Sequence, residues 1–255
     1  MFTITLPVAK EQFTIKPFLF NNVIDIARLS YENDEEGVIT YLNNHFNTHS
    51  LCIIDKFFVL LKARQLWVNE TVRIKEGGKY IELHMSNLLK CFENIKLPDK
   101  VISDGLLTIH FRLPKTLISD SNADTYIETI KSISIQNTCI EFDNLTREEQ
   151  QDIVSKLPSS TLKLVREYYN SVEWSYTLFQ ITKKNLKITI DFLSDEPFNL
   201  INTLYTVYDI HYCREILLYL SKKVSPTVIY QSTMPDIEYY ITETYTDDSN
   251  PTPML

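Results

Sequence analysis

Residues 51–67 read LCIIDKFFVLLKARQLW, and this stretch decides the fold because it is apolar on nearly every side. Its four charged residues are Asp55, Lys56, Lys62 and Arg64. The large apolar residues between them cover most of a helix circumference, so the helix has to be buried. The stretch is shorter than the roughly 20 apolar residues that cross a bilayer. It therefore predicts a central core helix and no membrane span.

The composition fits one large or two modest domains with a substantial core. The 255 residues are 44% hydrophobic, which is enough to fill such a core. A formal net charge of −8 opposes phosphate backbones, so nucleic acid is not an expected partner. The first residues alternate instead of giving a basic start and an apolar run. We therefore expect no signal peptide and a chain that is made inside the cell.

Glycine and cysteine usage excludes several kinds of site. The sequence has four glycines, and their positions allow neither a P-loop nor a GxGxxG dinucleotide motif. The Gly-x-Ser-x-Gly elbow and the HExxH motif are also missing from the sequence. The four cysteines form no CxxC pair, which is typical of free thiols in a reducing compartment. We expect no cofactor, no structural zinc and no small-molecule substrate.

Three β-hairpins are predicted around the central helix. Each consists of two segments with apolar residues at alternate positions and a turn between them. The second has the clearest turn, because the paired Gly77 and Gly78 take the positive φ of a tight turn. The paired segments are 2–6 with 13–18, 70–74 with 79–83, and 176–181 with 186–192. A further strand is predicted over 106–113.

Helices are predicted between these hairpins from capping residues and from apolar residues spaced three and four apart. Thr146 and Glu149, for example, form a Thr-x-x-Glu capping box. The predicted helices cover about 21–31, 35–46, 86–92, a segment around 126–130, 146–157, 159–172 and 195–220. The sequence thus predicts an α+β fold that is mostly helical, with an N-terminal β-hairpin and two further hairpins packed around a central buried helix.

The chain is predicted to divide into three parts. Residues 1–95 hold the N-terminal hairpin and helices. Residues 96–223 hold the strand, the helical pair, the late hairpin and the long helix. In residues 224–255 the prolines and the acidic, tyrosine-rich composition predict an extended C-terminal arm.

Within this arm, residues 234–245 have the sequence MPDIEYYITETY. The segment has too few aliphatic residues to form a core, but it is more apolar than a solubilising tail requires. We expect it to order against another protein through Ile237, Tyr239, Tyr240, Ile241 and Tyr245. A disordered or self-packed tail is the alternative.

Three stretches of the sequence are similar to segments of a known protein family. They are ITLPVAKEQFTIKPF at 4–18, IDKFFVLLKARQLWVNETV at 54–72 and FDNLTREEQQDIVSKLP at 142–158. In this order they resemble the T-even-type phage base plate protein family of hub-assembly proteins, and the likeness extends loosely over residues 1–223.

The resemblance implies a non-enzymatic, chaperone-like assembly factor in the host cytoplasm. It would bind other phage baseplate hub or tail proteins during virion morphogenesis. A permanent structural subunit of the hub, retained in the virion, is the alternative. The net charge and the capped helices favour a chain that is soluble by itself, and hence the assembly factor.

Two departures from the family pattern bear on a metal site and on the first hairpin. Many members have cysteine pairs in the turns that correspond to Glu76–Lys79 and Thr182–Asn185, as if to bind zinc. Here the two turns read EGGK and TKKN, which argues against zinc. Lys16 stands where an arginine is usual, and the hairpin is unaffected because either side chain is solvated and cationic.

Two other functions stay open at this stage. An enzyme could use His110, Glu141 and Asp143, because catalytic residues need only meet in space. A histidine on the polar face of a strand is, however, far more often inert. A generic α+β adaptor unrelated to phage would show the same hairpin and helix patterns.

Overall fold

The fold is known from a computed structural model, which describes residues 1–76, 79–93, 95, 97, 101–115, 127–136, 138–181 and 186–247. The helices are α1 Phe20–Tyr31, α2 Glu35–Phe46, α3 Ile53–Trp67, α4 Met85–Leu89, α5 Arg147–Ser155, α6 Ser159–Ser171, α7 Glu196–Tyr205, α8 Ile210–Leu220, α9 Pro226–Gln231 and α10 Met234–Asp247. No helix within these ranges is both long enough and apolar enough to span a membrane.

The strands form several small antiparallel sheets among the helices. They are β1 Phe2–Thr5, β2 Gln12–Ile15, β3 Thr71–Glu76, β4 Lys79–His84, β5 Val101–Asp104, β6 Leu107–Phe111, β7 Ile130–Ile135, β8 Thr138–Glu141, β9 Ser175–Ile181 and β10 Leu186–Asp191. The pairs β1–β2, β3–β4 and β9–β10 are two-stranded, and β5–β6–β7–β8 form one four-stranded sheet. The predicted α+β fold with three hairpins around a central helix is confirmed.

The central helix α3 is buried along most of its length, and three of its charged side chains bind the backbone of other segments. Asp55 accepts hydrogen bonds from the backbone N–H groups of Val8 and Ala9, at 2.7 and 3.0 Å. These two donors lie between β1 and β2, so the carboxylate fixes the turn of the N-terminal hairpin. Burial raises the pKa of Asp55, although the two N–H donors act in the opposite direction.

Lys56 and Arg64 make the equivalent contacts on other sides of α3. The Lys56 ammonium donates to the carbonyl of Lys115 at 2.8 Å. The Arg64 guanidinium donates from Nε to the carbonyl of Leu204 at 2.8 Å and from Nη1 to that of Asn69 at 3.0 Å. A buried carbonyl without a donor is costly, so these contacts attach the chain after β6 and the end of α7 to the central helix.

The four-stranded sheet differs from the sequence prediction. The helix predicted around 126–130 is present in its described part, since residues 127–129 are helical; residue 126 lies outside the described residues. The chain then enters β7, which pairs with β6 from Leu107↔Ile135 to Phe111↔Ile130. Ile127 and Ile130 are both buried, as the prediction has them, and the difference from the prediction is that Ile130 begins a strand.

The predicted extended arm over 224–255 is wrong for its described part, which forms α9 and α10. Pro226 and Pro235 lie in the first turns of these helices, where a missing N–H costs nothing. Thr233 and Asp236 cap α10, because the Asp236 carboxylate accepts from Thr233 N at 2.9 Å and from its hydroxyl at 2.6 Å. The backbone N–H of Phe20 donates to the carbonyl of Ser232 at 2.7 Å, which joins the start of α1 to the turn between α9 and α10.

An aromatic cluster packs one side of α3 against the β9–β10 hairpin. The Phe57 ring centroid lies 5.4 Å from that of Phe192 and 5.9 Å from that of Phe92. Tyr176 of β9 completes the cluster, 5.7 Å from each of these two rings. The hairpin is therefore held by aromatic side chains from two other parts of the chain.

We predict that Phe57→Ala lowers the free energy of unfolding by about 3–5 kcal/mol, because it removes a buried ring and leaves a cavity. Lys62→Ala is the control on the same helix, since Lys62 is half-buried and, among the described residues, its ammonium donates to Gln65 one turn on. Urea denaturation of both variants measures the difference. If Phe57→Ala unfolds at the same urea concentration as the parent, α3 is not part of the core.

Candidate protein-binding site

The five residues that the sequence predicted as partner-binding lie on α10 and face different ways. Ile237 is fully buried in the chain's own core, whereas Tyr239 is 60% exposed. Tyr240 and Ile241 are half-buried, and Tyr245 lies near the end of the helix with its side chain outside the described part. Ile237 is thus inaccessible to a partner, and of the described side chains in this set Tyr239 offers the most surface.

A cleft of about 360 Å³ between α1, α8 and α9 is the stronger candidate, and we call it the α1–α8 cleft. Helix α9 contacts both α1 and α8 and closes one end. The lining residues are Ile24, Arg28, Tyr31, Ile210, His211, Cys213, Arg214, Leu217 and Tyr230.

Helical periodicity places the two walls of this cleft. Arg28 and Tyr31 follow Ile24 by four and seven residues on α1, so they share one face of that helix. On α8, Arg214 and Leu217 follow Ile210 by the same intervals. The opposite faces of both helices enter the core through buried residues such as Val23, Ile26, Ile216 and Leu220.

The side chains that line the cleft include cationic and aromatic groups. Tyr31, whose side chain is 69% exposed, meets His211 edge to face at a centroid distance of 6.2 Å. Arg28 lies 3.8 Å from Asp25 in an exposed contact, which is worth little in water. Among the described residues Arg214 makes no ion pair. Tyrosine and arginine are enriched among the residues that dominate protein–protein binding.

The floor of the cleft is apolar and chemically unreactive. Cys213 is buried there, and burial raises the pKa of its thiol to about 11. A thiol with so high a pKa is almost entirely protonated at neutral pH, and the thiolate is the reactive form. The cleft therefore presents surface for contact and no activated nucleophile.

The sequence does not predict this cleft, although the residue pattern of its two walls is present there. The i, i+4, i+7 patterns of α1 and α8 are visible in the sequence, but nothing local indicates that these two faces lie side by side. Helices α1 and α8 contact each other directly, and α9, which contributes Tyr230 to the cleft, lies in a region that the sequence predicts to be extended.

A second cleft, of about 520 Å³, lies between α2 and α7 and is acidic. Its carboxylates include Glu35, Glu36 and Asp195, which lie at the first turns of the two helices. Acidic side chains are favoured there by the helix dipole. Their presence is explained by helix stability, so the cleft gives no argument for a ligand.

The residues considered for catalysis do not form an active site in the described part of the chain. His110 pairs with Val101 and Ser132 in the sheet, and no described hydrogen bond joins it to Glu141 or Asp143. Asp143 instead accepts from Arg112 Nη1 at 2.6 Å and Lys115 Nζ at 3.2 Å.

Neither cleft above includes the residues considered for catalysis. No group of three His, Cys, Asp or Glu side chains is placed to hold a metal ion among the residues described. The turn residues 77–78 and 182–185, where the family's cysteine pairs would fall, lie outside the described residues.

The ion pairs of Asp143 predict a pH dependence of stability. Burial raises the pKa of Asp143, but Arg112 and Lys115 outweigh it and hold the pKa below the ordinary 3.8. A depressed folded-state pKa contributes stability above the unfolded-state pKa and loses it as the pH falls. Between about pH 5 and pH 3 the parent should therefore lose more stability than Asp143→Asn.

The Asp143 side chain is 55% exposed, so screening keeps this difference below about 1 kcal/mol. Urea denaturation at each pH measures it, with Glu148→Gln as a control at an exposed glutamate that makes no described ion pair. If the free energy of unfolding falls equally for the parent and Asp143→Asn between about pH 5 and pH 3, the result contradicts the ion pairs seen here.

Comparison with known proteins gives a family relationship. Residues 1–195 match the family model described as T4 bacteriophage base plate protein. A search of the curated proteins and a search of the solved structures each gave no match. The matched residues include α1 and the central helix, whereas α8 and α9 lie beyond them.

Proposed function

This chain belongs to the T4 bacteriophage base plate protein family, and we propose that it acts there as a non-enzymatic hub assembly factor. It binds other hub or tail proteins in the host cytoplasm during virion morphogenesis and leaves before the particle is complete. The family match over residues 1–195 supports the baseplate role. The transient role is the further step of the proposal.

The way in which the chain buries its own apolar residues supports a transient role. The core includes residues from β1 to α10, so the central helix needs no partner to cover it. A net charge of −8 keeps an unassembled chain soluble. Obligate interfaces typically bury more than about 2,000 Å², and the α1–α8 cleft offers a far smaller contact surface.

The second candidate function is a permanent subunit of the hub. Three exposed tyrosines favour it: Tyr31, Tyr230 and Tyr239. Aromatic side chains are enriched at protein–protein interfaces. A permanent subunit would keep these rings covered in the mature particle, whereas an assembly factor covers them only while the hub is built.

Quantitative mass spectrometry of purified mature virions separates the two functions. For an assembly factor we expect no stoichiometric copies in the particle, while infection without the gene gives no complete hubs. Copies in a multiple of three or six per particle would refute the transient role and support the structural one. Normal hubs in the absence of the gene would refute both functions.

A further inference from the structure

We propose that the α1–α8 cleft binds a short acidic segment of a partner protein that also carries large apolar side chains. The carboxylates of that segment pair with Arg28 and Arg214, and its apolar side chains lie between Ile24 and Leu217. This inference rests on the proposed function, because the partner is a protein of the assembling baseplate.

Charge is the first argument for an acidic partner. The cleft is lined by two arginines and a histidine and by no carboxylate, in a chain whose net charge is −8. An arginine side chain stays protonated at every pH that a protein tolerates. The net negative charge of the chain opposes an acidic segment, so this local cationic site favours its binding here.

The exposure of the two guanidinium groups is the second argument for an acidic partner. The Arg28 side chain is 62% exposed, and the described residues give it one ion pair, the long contact to Asp25. Arg214 is exposed too, and the described residues give it no ion pair. Guanidinium groups bind carboxylates in a bidentate geometry, and both are free to do so here.

The apolar floor distinguishes a protein segment from a small anion. Ile24, Ile210 and Leu217 are half-buried, so their remaining apolar surface is available to a partner side chain. A phosphate ion has no apolar surface that it could bury against these side chains. The first turn of α8 is also already capped, because the Asp209 carboxylate accepts from Tyr212 N at 2.8 Å, so this backbone N–H is not available to a bound phosphate.

The length of the cleft sets the length of the segment. Tyr31 follows Ile24, and Leu217 follows Ile210, by seven residues, which is a rise of about 10 Å at 1.5 Å per residue. This corresponds to two turns of a partner helix. A two-turn helix with glutamates on its flanks and leucines on one face meets both the arginines and the floor.

The test uses the full chain and a fluorescein-labelled 14-residue peptide of glutamate and leucine at helical spacing. Fluorescence anisotropy measures its binding, with a lysine-for-glutamate peptide and a serine-for-leucine peptide as comparisons. We expect the glutamate–leucine peptide to bind best. Its affinity should weaken as salt is raised, because the arginine contacts are exposed.

Charge reversal in the cleft should abolish this binding. In Arg28→Glu/Arg214→Glu we expect at least an approximately tenfold loss of affinity, since two carboxylate contacts become repulsions. Lys156→Glu/Lys163→Glu makes the same change of charge at side chains that are 71% and 76% exposed on α5 and α6, and it should leave binding unchanged. Should the double variant fail to fold, Arg214→Ala alone should still weaken binding.

Several results would overturn the inference. They are equal binding of the lysine or serine peptide, unchanged binding by both cleft variants, displacement of the peptide by millimolar inorganic phosphate, and self-association of the chain that the charge reversal abolishes. Infection with phage that carry the charge-reversal variant, compared with phage that lack the gene, distinguishes this inference from the proposed function. Normal hubs with Arg28→Glu/Arg214→Glu, but none without the gene, would overturn the cleft alone.

Discussion

The backbone contacts of the buried charges on α3 hold distant parts of the fold together. Asp55 binds the turn of the first hairpin, Lys56 binds the chain after β6, and Arg64 binds the end of α7. Each charge would be costly to bury without a partner. Because each partner is a backbone group, the contact fixes the position of a segment whatever its side chains are. Apolar packing alone would leave these positions less strictly defined.

The sequence predicted this helix but not how its charges are used. The apolar residues of 51–67 were enough to show that the segment is buried, and three hairpins followed from period-two patterns and turns. The partners of Asp55 and Arg64 could not be found in the same way, since Val8 and Leu204 contribute only backbone atoms. Any residue has such atoms, so no residue type marks the site.

The C-terminal helices show why the candidate site was also missed. Prolines such as Pro226 and Pro235 are typical of an extended chain, but the same residue type is also favoured in the first turn of a helix. The pair Thr233 and Asp236 has the spacing of a capping box, so the start of α10 was present in the sequence. That α9 then returns to α1 and completes the α1–α8 cleft is a tertiary fact that local patterns do not contain.

The most direct test of this account is the stability of Arg64→Met, with Lys62→Met as the same substitution at a half-buried position of α3. Methionine keeps much of the volume but leaves the buried carbonyl of Leu204 without its donor. Urea denaturation should therefore show Arg64→Met less stable than the parent by about 1–3 kcal/mol and Lys62→Met nearly unchanged. An Arg64→Met variant as stable as the parent, or more stable, would contradict the claim that the buried charges hold the fold together.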